Sequence, residues 1–306
     1  MADILSNFFG SVFPVALMFF LGFTLGRRGV FAVGEVSSLF KFIAQLAAPA
    51  IVFSIMITSE FGDADMQLIG LYFAAEGIVY LATMLLAMWG LGLDLKNGIL
   101  AAMAASFSNH VLFAYPISQF AFAPDIIVPI QGIIAIDMAI FTLTIVALDM
   151  NAGARDGMLA ALLRQRANPL LLALLAGLCI RLLPGEPYMA LIRSAEFAAR
   201  TAAPLGLFAT GVVLSAPISG VNLRLAGLVT FMKMVAHPGI AAFLMLGVGG
   251  YAFDPSRTSL LVAVAPVGVM ALTFSNRFQG ESGAIAMAIL WSMVASVLMI
   301  PVLIAI

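Results

Sequence analysis

Three ionisable side chains stand inside long apolar stretches of this sequence: Glu76, Asp137 and Lys233. Charged groups are costly in an apolar interior, so such residues commonly bind an ion, a proton or a substrate. Glu76 and Asp137 could each carry a proton for coupling, or serve as a structural partner for a basic or amide group. Lys233 could attract an anion through the low-dielectric interior or balance one of the two acidic residues.

Two amide side chains, Asn109 and Gln131, lie before and after Pro116 in the chain, and Tyr115 stands directly before that proline. Amide and hydroxyl groups can donate hydrogen bonds to an anion, which makes these residues candidates for a binding site. The two histidines are too isolated to suggest a metal site, which requires three or four converging ligands.

The amino-acid composition indicates the kind of environment in which these residues lie. The chain has 306 residues, of which 63% are hydrophobic and 9% charged, against roughly 25% charged in soluble domains. Its mean hydropathy of +1.13 and net charge of -1 argue against a cytosolic enzyme, a nucleic-acid partner and a disordered regulator. The single Cys179 excludes an internal disulfide and a cysteine-based metal cluster. We therefore expect an all-α polytopic membrane protein.

Dividing the apolar stretches at charges and turn residues, with about 20 residues per crossing, predicts ten transmembrane helices. The first is expected to be retained, because no basic stretch precedes its apolar core. The predicted spans cover residues 8–26, 36–58, 66–91, 97–122, 126–149, 168–183, 194–216, 222–250, 258–278 and 283–305.

Basic residues in the loops predict the orientation, since they are enriched on the cytoplasmic side. Eight fall on one side of the predicted topology and three on the other. This places the loop after the first span, and the linker at 151–167, in the cytoplasm, with both termini outside. The eight are Arg27, Arg28, Lys96, Arg155, Arg164, Arg166, Arg224 and Arg277; the three are Arg181, Arg193 and Arg257.

Two pairs of motifs recur at one offset. Pro14 and Gly22 of the first span match Pro169 and Gly177 of the sixth, each 155 positions later. An Ala-Ala-Pro segment in the second span has its copy in the seventh at the same offset. Because five spans separate the copies, the second copy enters the membrane from the opposite side. This predicts two inverted five-helix repeats, at 1–150 and 168–306.

Pro116 and Pro266 stand near the middle of the fourth and ninth spans, 150 positions apart. A proline removes one backbone donor and disturbs a helix. Broken helices at matching positions of inverted repeats indicate a transporter's binding site, because half-helix ends and freed backbone groups converge at the midplane. We predict that these two spans cross near the prolines, with Gly268 beside the second.

Five segments carry a family resemblance: Ala48–Ser54, Asn109–Pro116, Gln131–Ile134, Thr210–Ser215 and Ser275–Phe278. They resemble the auxin efflux carrier family, which includes plant PIN-type auxin carriers and bacterial malonate and malate transporters. The resemblance extends over the whole chain. The last two segments are most similar to the malonate-carrier branch.

The resemblance implies a scaffold of helices 1, 2, 6 and 7, and a transport unit of helices 3–5 and 8–10 that moves as an elevator. In the plant carriers an asparagine at the position of Asn109 binds the substrate carboxylate. The family's acidic residue after two alanines matches Glu76, and its glutamine matches Gln131. Some bacterial members have an asparagine after the ninth-span proline. Here Val267–Met270 has none, so backbone dipoles are expected to serve instead.

We therefore expect a secondary transporter of small organic anions such as malonate, malate or auxin-like acids, in a bacterial inner membrane. Alternatives are a sodium-coupled anion symporter of the bile-acid type, and a channel or membrane receptor. No catalytic constellation suggests an enzyme, and the absence of an ATP-binding loop points to gradients, of protons or sodium, as the energy source. No cofactor is expected, and the sequence leaves open a homodimer through the scaffold helices.

Overall fold

The structure is a computed structural model that describes residues 2–59, 65–151, 168–182 and 189–306. Within these residues the chain is all-helical, apart from one isolated β-bridge. The cytoplasmic linker expected at 151–167 lies outside the described residues, except for Asn151.

Among the residues that the structure describes, seven helices are long and apolar enough to cross a membrane, and shorter helices lie between them. The long ones are α1 (Asp3–Arg27), α2 (Ser37–Thr58), α3 (Met66–Gly90), α6 (Pro124–Asn151), α8 (Met189–Ser215), α9 (Leu223–Val248) and α12 (Ser282–Ala305). The shorter ones are α4 (Leu95–Ser106), α5 (Tyr115–Ala121), α7 (Pro169–Arg181), α10 (Phe253–Ala263) and α11 (Val269–Arg277). This confirms a multi-pass helical membrane protein. The predicted fourth and ninth spans correspond to α4–α5 and α10–α11, each interrupted in the middle.

Short polar side chains define where four helices begin. Asp65 accepts hydrogen bonds from the N–H groups at the start of α3, and Asp94 does the same for α4. Asn168 and Asn222 cap α7 and α9. Because the first N–H groups of a helix have no partner in the helix itself, these caps stabilise each end.

Four prolines are each preceded by a widened, π-helical turn that ends two residues earlier. The turns are Phe8–Val12 before Pro14, Ile43–Ala47 before Pro49, His110–Ala114 before Pro116, and Met232–Ala236 before Pro238. A proline ring collides with the carbonyl one turn earlier and lacks an N–H donor, so a wider turn accommodates it without ending the helix.

Pro116 therefore differs from the expectation for it. It lies in the first turn of α5, after a π-helical turn, and the backbone remains helical around it. The interruption of this span lies earlier, between Ser106 and His110. Pro266 does lie within the interruption of its span, between α10 and α11.

The chain forms two compact units. Unit 1 comprises Met1–Pro14, Asp65–Ile130 and Pro217–Ile306, and unit 2 comprises Val15–Ala64 and Gln131–Ala216. Unit 1 contains α3–α5 and α9–α12. Unit 2 contains α2, α7, α8 and most of α1 and α6, so most of the predicted fifth span groups with unit 2.

Glycines let helices of unit 2 approach at backbone distance. A Cβ atom on Gly22 of α1 would collide with the carbonyl oxygen of Phe208 on α8. A Cβ on Gly177 of α7 would lie 2.5 Å from Met56 Cβ and 3.1 Å from the carbonyl oxygen of Phe53 on α2. The glycines that are 155 positions apart therefore face phenylalanines that are also 155 positions apart. Small residues at such contacts allow tight helix packing in a membrane.

Candidate functional site

Two interrupted helices of unit 1 meet at a single antiparallel β-bridge between Ser108 and Val267. The N–H of Asn109 donates to the carbonyl oxygen of Pro266 at 2.8 Å, and the N–H of Gly268 donates to that of Phe107 at 3.2 Å. We call these two segments, Phe107–Asn109 and Val264–Gly268, the crossing. Exchanging the two segments maps one bond onto the other, so Asn109 and Gly268 occupy equivalent positions in the two segments.

Gly268 has little room for a side chain. A Cβ atom there would lie 3.3 Å from the carbonyl oxygen of Phe107 and 3.4 Å from that of Ser108. These contacts are tight, so glycine lets the two backbones approach closely enough for the bridge to form.

Hydroxyl groups bind the backbone atoms that the interruption frees. Ser108 Oγ donates to the carbonyl oxygen of Val262 at 2.6 Å, and Ser296 Oγ donates to that of Val264 at 2.7 Å. Ser292 Oγ accepts from the N–H of Val267 at 3.0 Å. Unpaired backbone groups are costly in a membrane interior, and these contacts remove that cost.

Lys233 on α9 is fully buried beside the crossing. Its Nζ donates to Ser108 Oγ at 2.6 Å and to the carbonyl oxygen of Ala263 at 2.9 Å. It lies 3.0 Å from Nδ1 of His237, one turn further along the same helix. Lysine has three N–H donors, and these three atoms match them in number.

Other buried titratable groups surround this lysine. His110 Nδ1 donates to the carbonyl oxygen of Ser108 at 2.8 Å, because a carbonyl oxygen can only accept. The Tyr72 ring of α3 packs against the His237 ring, with 5.5 Å between ring centres. Glu76, one turn after Tyr72, is 3% exposed. Tyr72 of α3 therefore contacts the histidine beside Lys233, and Glu76 is buried one turn further along α3.

Asn109 begins the second half of the first interrupted helix. The residue is 6% exposed, and its amide does not cap the helical turn that follows it. The start of α11 also has no side-chain cap. Two helix N-termini therefore meet at the crossing with no side chain capping them. Such ends carry partial positive charge and N–H donors, which suit an anion.

The structure gathers several of the predicted site residues in unit 1 and places two in unit 2. Asn109, Pro266, Gly268 and Lys233 lie at or beside the crossing, and Tyr115 is half-buried at the start of α5. Gln131 and Asp137 lie in unit 2, where Gln131 is half-buried and Asp137 is fully buried. The roles expected for these two residues stay predictions.

Ser292 and Ser296 are functional candidates that sequence reasoning missed. They are four residues apart on α12, an otherwise apolar helix, so both face the same side. That spacing was the available signal. It could not show that their partners are backbone atoms of Val264 and Val267, in the segment between α10 and α11.

Comparison with known proteins gives the family. The model of a family described as "Membrane transport protein" matches residues 7–304. A protein named "Putative malonate transporter" from Rhizobium meliloti (strain 1021) is 27% identical over 286 residues, covering 88% of this chain and 86% of the relative. The chain therefore belongs to the membrane transport protein family, the auxin efflux carrier family that its motifs resemble, and is a multi-pass membrane transporter.

Proposed function

We propose that the protein is a secondary transporter of small organic anions, and that the carboxylate binds at the crossing. The observation that carries this proposal is the meeting of two helix N-termini without side-chain caps beside the buried amide of Asn109. Backbone N–H groups at a helix start and an amide donor can stabilise a carboxylate through hydrogen bonds.

Asn109 is the proposed side-chain donor to the substrate. Its backbone N–H is fixed by the bond to Pro266, so the main chain at this residue is held in place. Gly268, which holds the equivalent position in the other segment, has no side chain that could cover the start of α11. Tyr115 is a second candidate contact, and the substrate roles of Glu76 and Gln131 remain part of the proposal.

The proposed substrates are malonate, malate and related carboxylates, including auxin-like acids. The relative's name, which mentions malonate, supports a small dicarboxylate. A second carboxylate group could use the other helix N-terminus, because the crossing presents two of them.

We further propose an elevator-type cycle in which the scaffold helices stay fixed and the transport unit moves. The division of the chain into two compact units supports this, and so do the matching glycine contacts of Gly22 and Gly177. A proton on Glu76 or Asp137 is the proposed coupling ion. A homodimer through the scaffold, a bacterial inner membrane and outward-facing termini complete the proposal.

A sodium-coupled symporter of the bile-acid type is the second candidate. The buried hydroxyl of Ser106, next to the crossing, favours it, because sodium requires converging oxygen atoms. Uptake that continues unchanged when choline replaces sodium would exclude it. A channel or receptor would differ by lacking saturable uptake.

Uptake into proteoliposomes tests the proposed function. Purified protein is reconstituted, and entry of labelled malonate, malate and indole acetate is measured against a labelled organic cation and protein-free liposomes. We expect saturable uptake of at least one carboxylate and none of the cation. Transport of the cation with no uptake of any carboxylate would reject the proposal.

A further inference from the structure

We propose that the Lys233 ammonium is a built-in cation of the crossing, held where a bound monovalent cation would otherwise stand. This assigns Lys233 a positioning role in place of the direct substrate contact that its charge alone suggested. The inference rests on the geometry around Nζ and does not depend on which substrate the protein transports.

Counting hydrogen atoms shows that Lys233 must donate in at least two of its contacts. Ser108 Oγ uses its own hydrogen on the carbonyl oxygen of Val262, so it accepts from Lys233. The carbonyl oxygen of Ala263 can only accept. Nδ1 of His237 is a further neighbour at 3.0 Å, and an ammonium group has a donor for each of these atoms.

The position of the ammonium is one that favours positive charge. The last carbonyl groups of a helix carry partial negative charge, and a cation near them is stabilised. Three carbonyls at the end of α10 receive side-chain donors: Val262 from Ser108, Ala263 from Lys233, and Val264 from Ser296. Of these donors, only Lys233 can bring a full charge.

The ligands around Nζ are those that a small hard cation would use. Hydroxyl and carbonyl oxygens are the usual protein ligands of such ions. Lys233 presents its charge to a hydroxyl and a carbonyl while being fully buried. Among the nearby titratable groups, His237 on α9 contacts Nζ, Tyr72 on α3 packs on the His237 ring, and His110 donates to the carbonyl oxygen of Ser108.

A tethered cation cannot leave with the substrate. We therefore infer that this position needs no sodium or potassium ion, and that the lysine holds Ser108 and the end of α10 in register. Removing the side chain beyond Cβ should open a site for a monovalent cation, and propylammonium matches the missing atoms.

Chemical rescue tests this inference. The full-length wild type and Lys233→Ala are purified in detergent, and thermal unfolding is followed at constant ionic strength in choline, sodium or propylammonium chloride. We expect Lys233→Ala to unfold several degrees below wild type in choline, and propylammonium to restore at least half of the loss. Neutral 1-propanol at the same concentration should restore little. Wild type should respond equally to all three salts.

Two further variants serve as controls for this experiment. Lys41→Ala removes an exposed lysine on α2 and should show no rescue, which controls for effects of the amine on the protein surface. Lys233→Met keeps the volume without the charge; it should unfold below wild type and ignore propylammonium. The inference is overturned if Lys233→Met matches wild type, if 1-propanol rescues as well as propylammonium, or if sodium specifically stabilises wild type.

Discussion

Two adjacent residues at the crossing, Ser108 and Asn109, have different roles. The Ser108 hydroxyl is committed to Lys233 and the carbonyl oxygen of Val262. The Asn109 amide caps no helix. A buried polar group committed to protein partners usually serves structure, whereas an amide that caps no helix keeps donors that a ligand could use. This difference is the reason for assigning Asn109 to the substrate and Ser108 to the framework.

Ser296 offers a test of the framework at the level of one residue. Ser296→Ala removes the donor to the carbonyl oxygen of Val264, and we expect a loss of about 1 kcal/mol in unfolding free energy. Thermal unfolding in detergent measures it. Ser194→Ala is the matched control, because that serine is exposed and bonds only within its own helix. Equal unfolding temperatures for the two variants would contradict the role given to Ser296.

Because of Asp65, just before α3, we expect the stability of the folded protein to depend on pH. The N–H of Leu68 lowers the pKa of its carboxyl group below 3.8 most strongly, with help from the Tyr251 hydroxyl and the Gln67 N–H, against the opposing effect of burial. A group whose pKa is lowered by folding stabilises the folded state above its ordinary pKa. That contribution is lost as the pH falls through the lowered pKa.

The corresponding variant is Asp65→Asn, which keeps one oxygen but cannot ionise. We expect wild type to exceed it in unfolding temperature at pH 5–7, and the difference to shrink below about pH 4. Tyr251→Phe should remove part of the same difference, since its hydroxyl lies 2.8 Å from Asp65 Oδ1. A difference that stays constant down to pH 3 would contradict the assignment.

At the scale of elements, the π-helical turns show why a proline does not always break a helix. The sequence predicts a disturbance at both Pro116 and Pro266, because each lacks a donor. In the structure, a widened π-helical turn accommodates Pro116, so the helix continues through it. Pro266 instead lies in the non-helical segment between α10 and α11. The two prolines should therefore differ in function.

Pro266→Ala should slow malonate uptake at saturation more than it changes the half-saturation concentration. The new N–H and freer backbone alter the segment whose carbonyl oxygen receives the bond from Asn109. Pro116→Ala should have the smaller effect on rate. Initial rates in proteoliposomes measure both. A larger loss for Pro116→Ala would place the moving part in the π-helical turn instead.

Gly268→Ala tests how closely the two segments must approach. The added Cβ would lie 3.3 Å from the Phe107 carbonyl oxygen, so we expect the bridge to loosen and both uptake rate and unfolding temperature to fall. Gly227→Ala on α9 is the control, because nothing lies within 4 Å of a Cβ there and alanine favours a helix. Equal behaviour of the two variants would argue against a tight crossing.

The apolar pattern predicted most spans well because length and hydropathy are local properties. The predicted spans at 36–58, 66–91 and 283–305 match Ser37–Thr58, Met66–Gly90 and Ser282–Ala305 closely. The positions of the interruptions in the fourth and ninth spans were predicted less accurately. Their positions depend on bonds between distant residues, such as Asn109 to Pro266, and no local pattern encodes such a pairing.

The candidate site, like the fold, was predicted from the sequence only in part. Asn109 and Gly268 were found because they stand near conspicuous prolines, and Lys233 because a charge in an apolar stretch is rare. The hydroxyls of Ser292 and Ser296 escaped notice because serine is common in membrane helices. Their importance lies in the backbone atoms of the crossing that they contact.

At the scale of the whole molecule, few charges are present, and those buried among the described residues lie in both units: Glu76 and Lys233 in unit 1, and Asp137 in unit 2. Only 9% of residues are charged, and within unit 1 Glu76 and Lys233 are both buried with the crossing nearby. A protein that carries an anion through a membrane must offset its charge. In the proposed mechanism, helix N-termini and the Asn109 amide offset the charge of the substrate, while Lys233 stabilises the crossing.

The most direct test of this account is the half-saturation concentration for malonate uptake by Asn109→Ala in proteoliposomes. Loss of one hydrogen bond to a charged substrate should raise it about 10- to 100-fold, with an unfolding temperature close to wild type. Asn276→Ala, which alters an exposed asparagine at the end of α11, should leave both values unchanged. An unchanged half-saturation concentration together with a lowered unfolding temperature for Asn109→Ala would contradict substrate binding at the crossing.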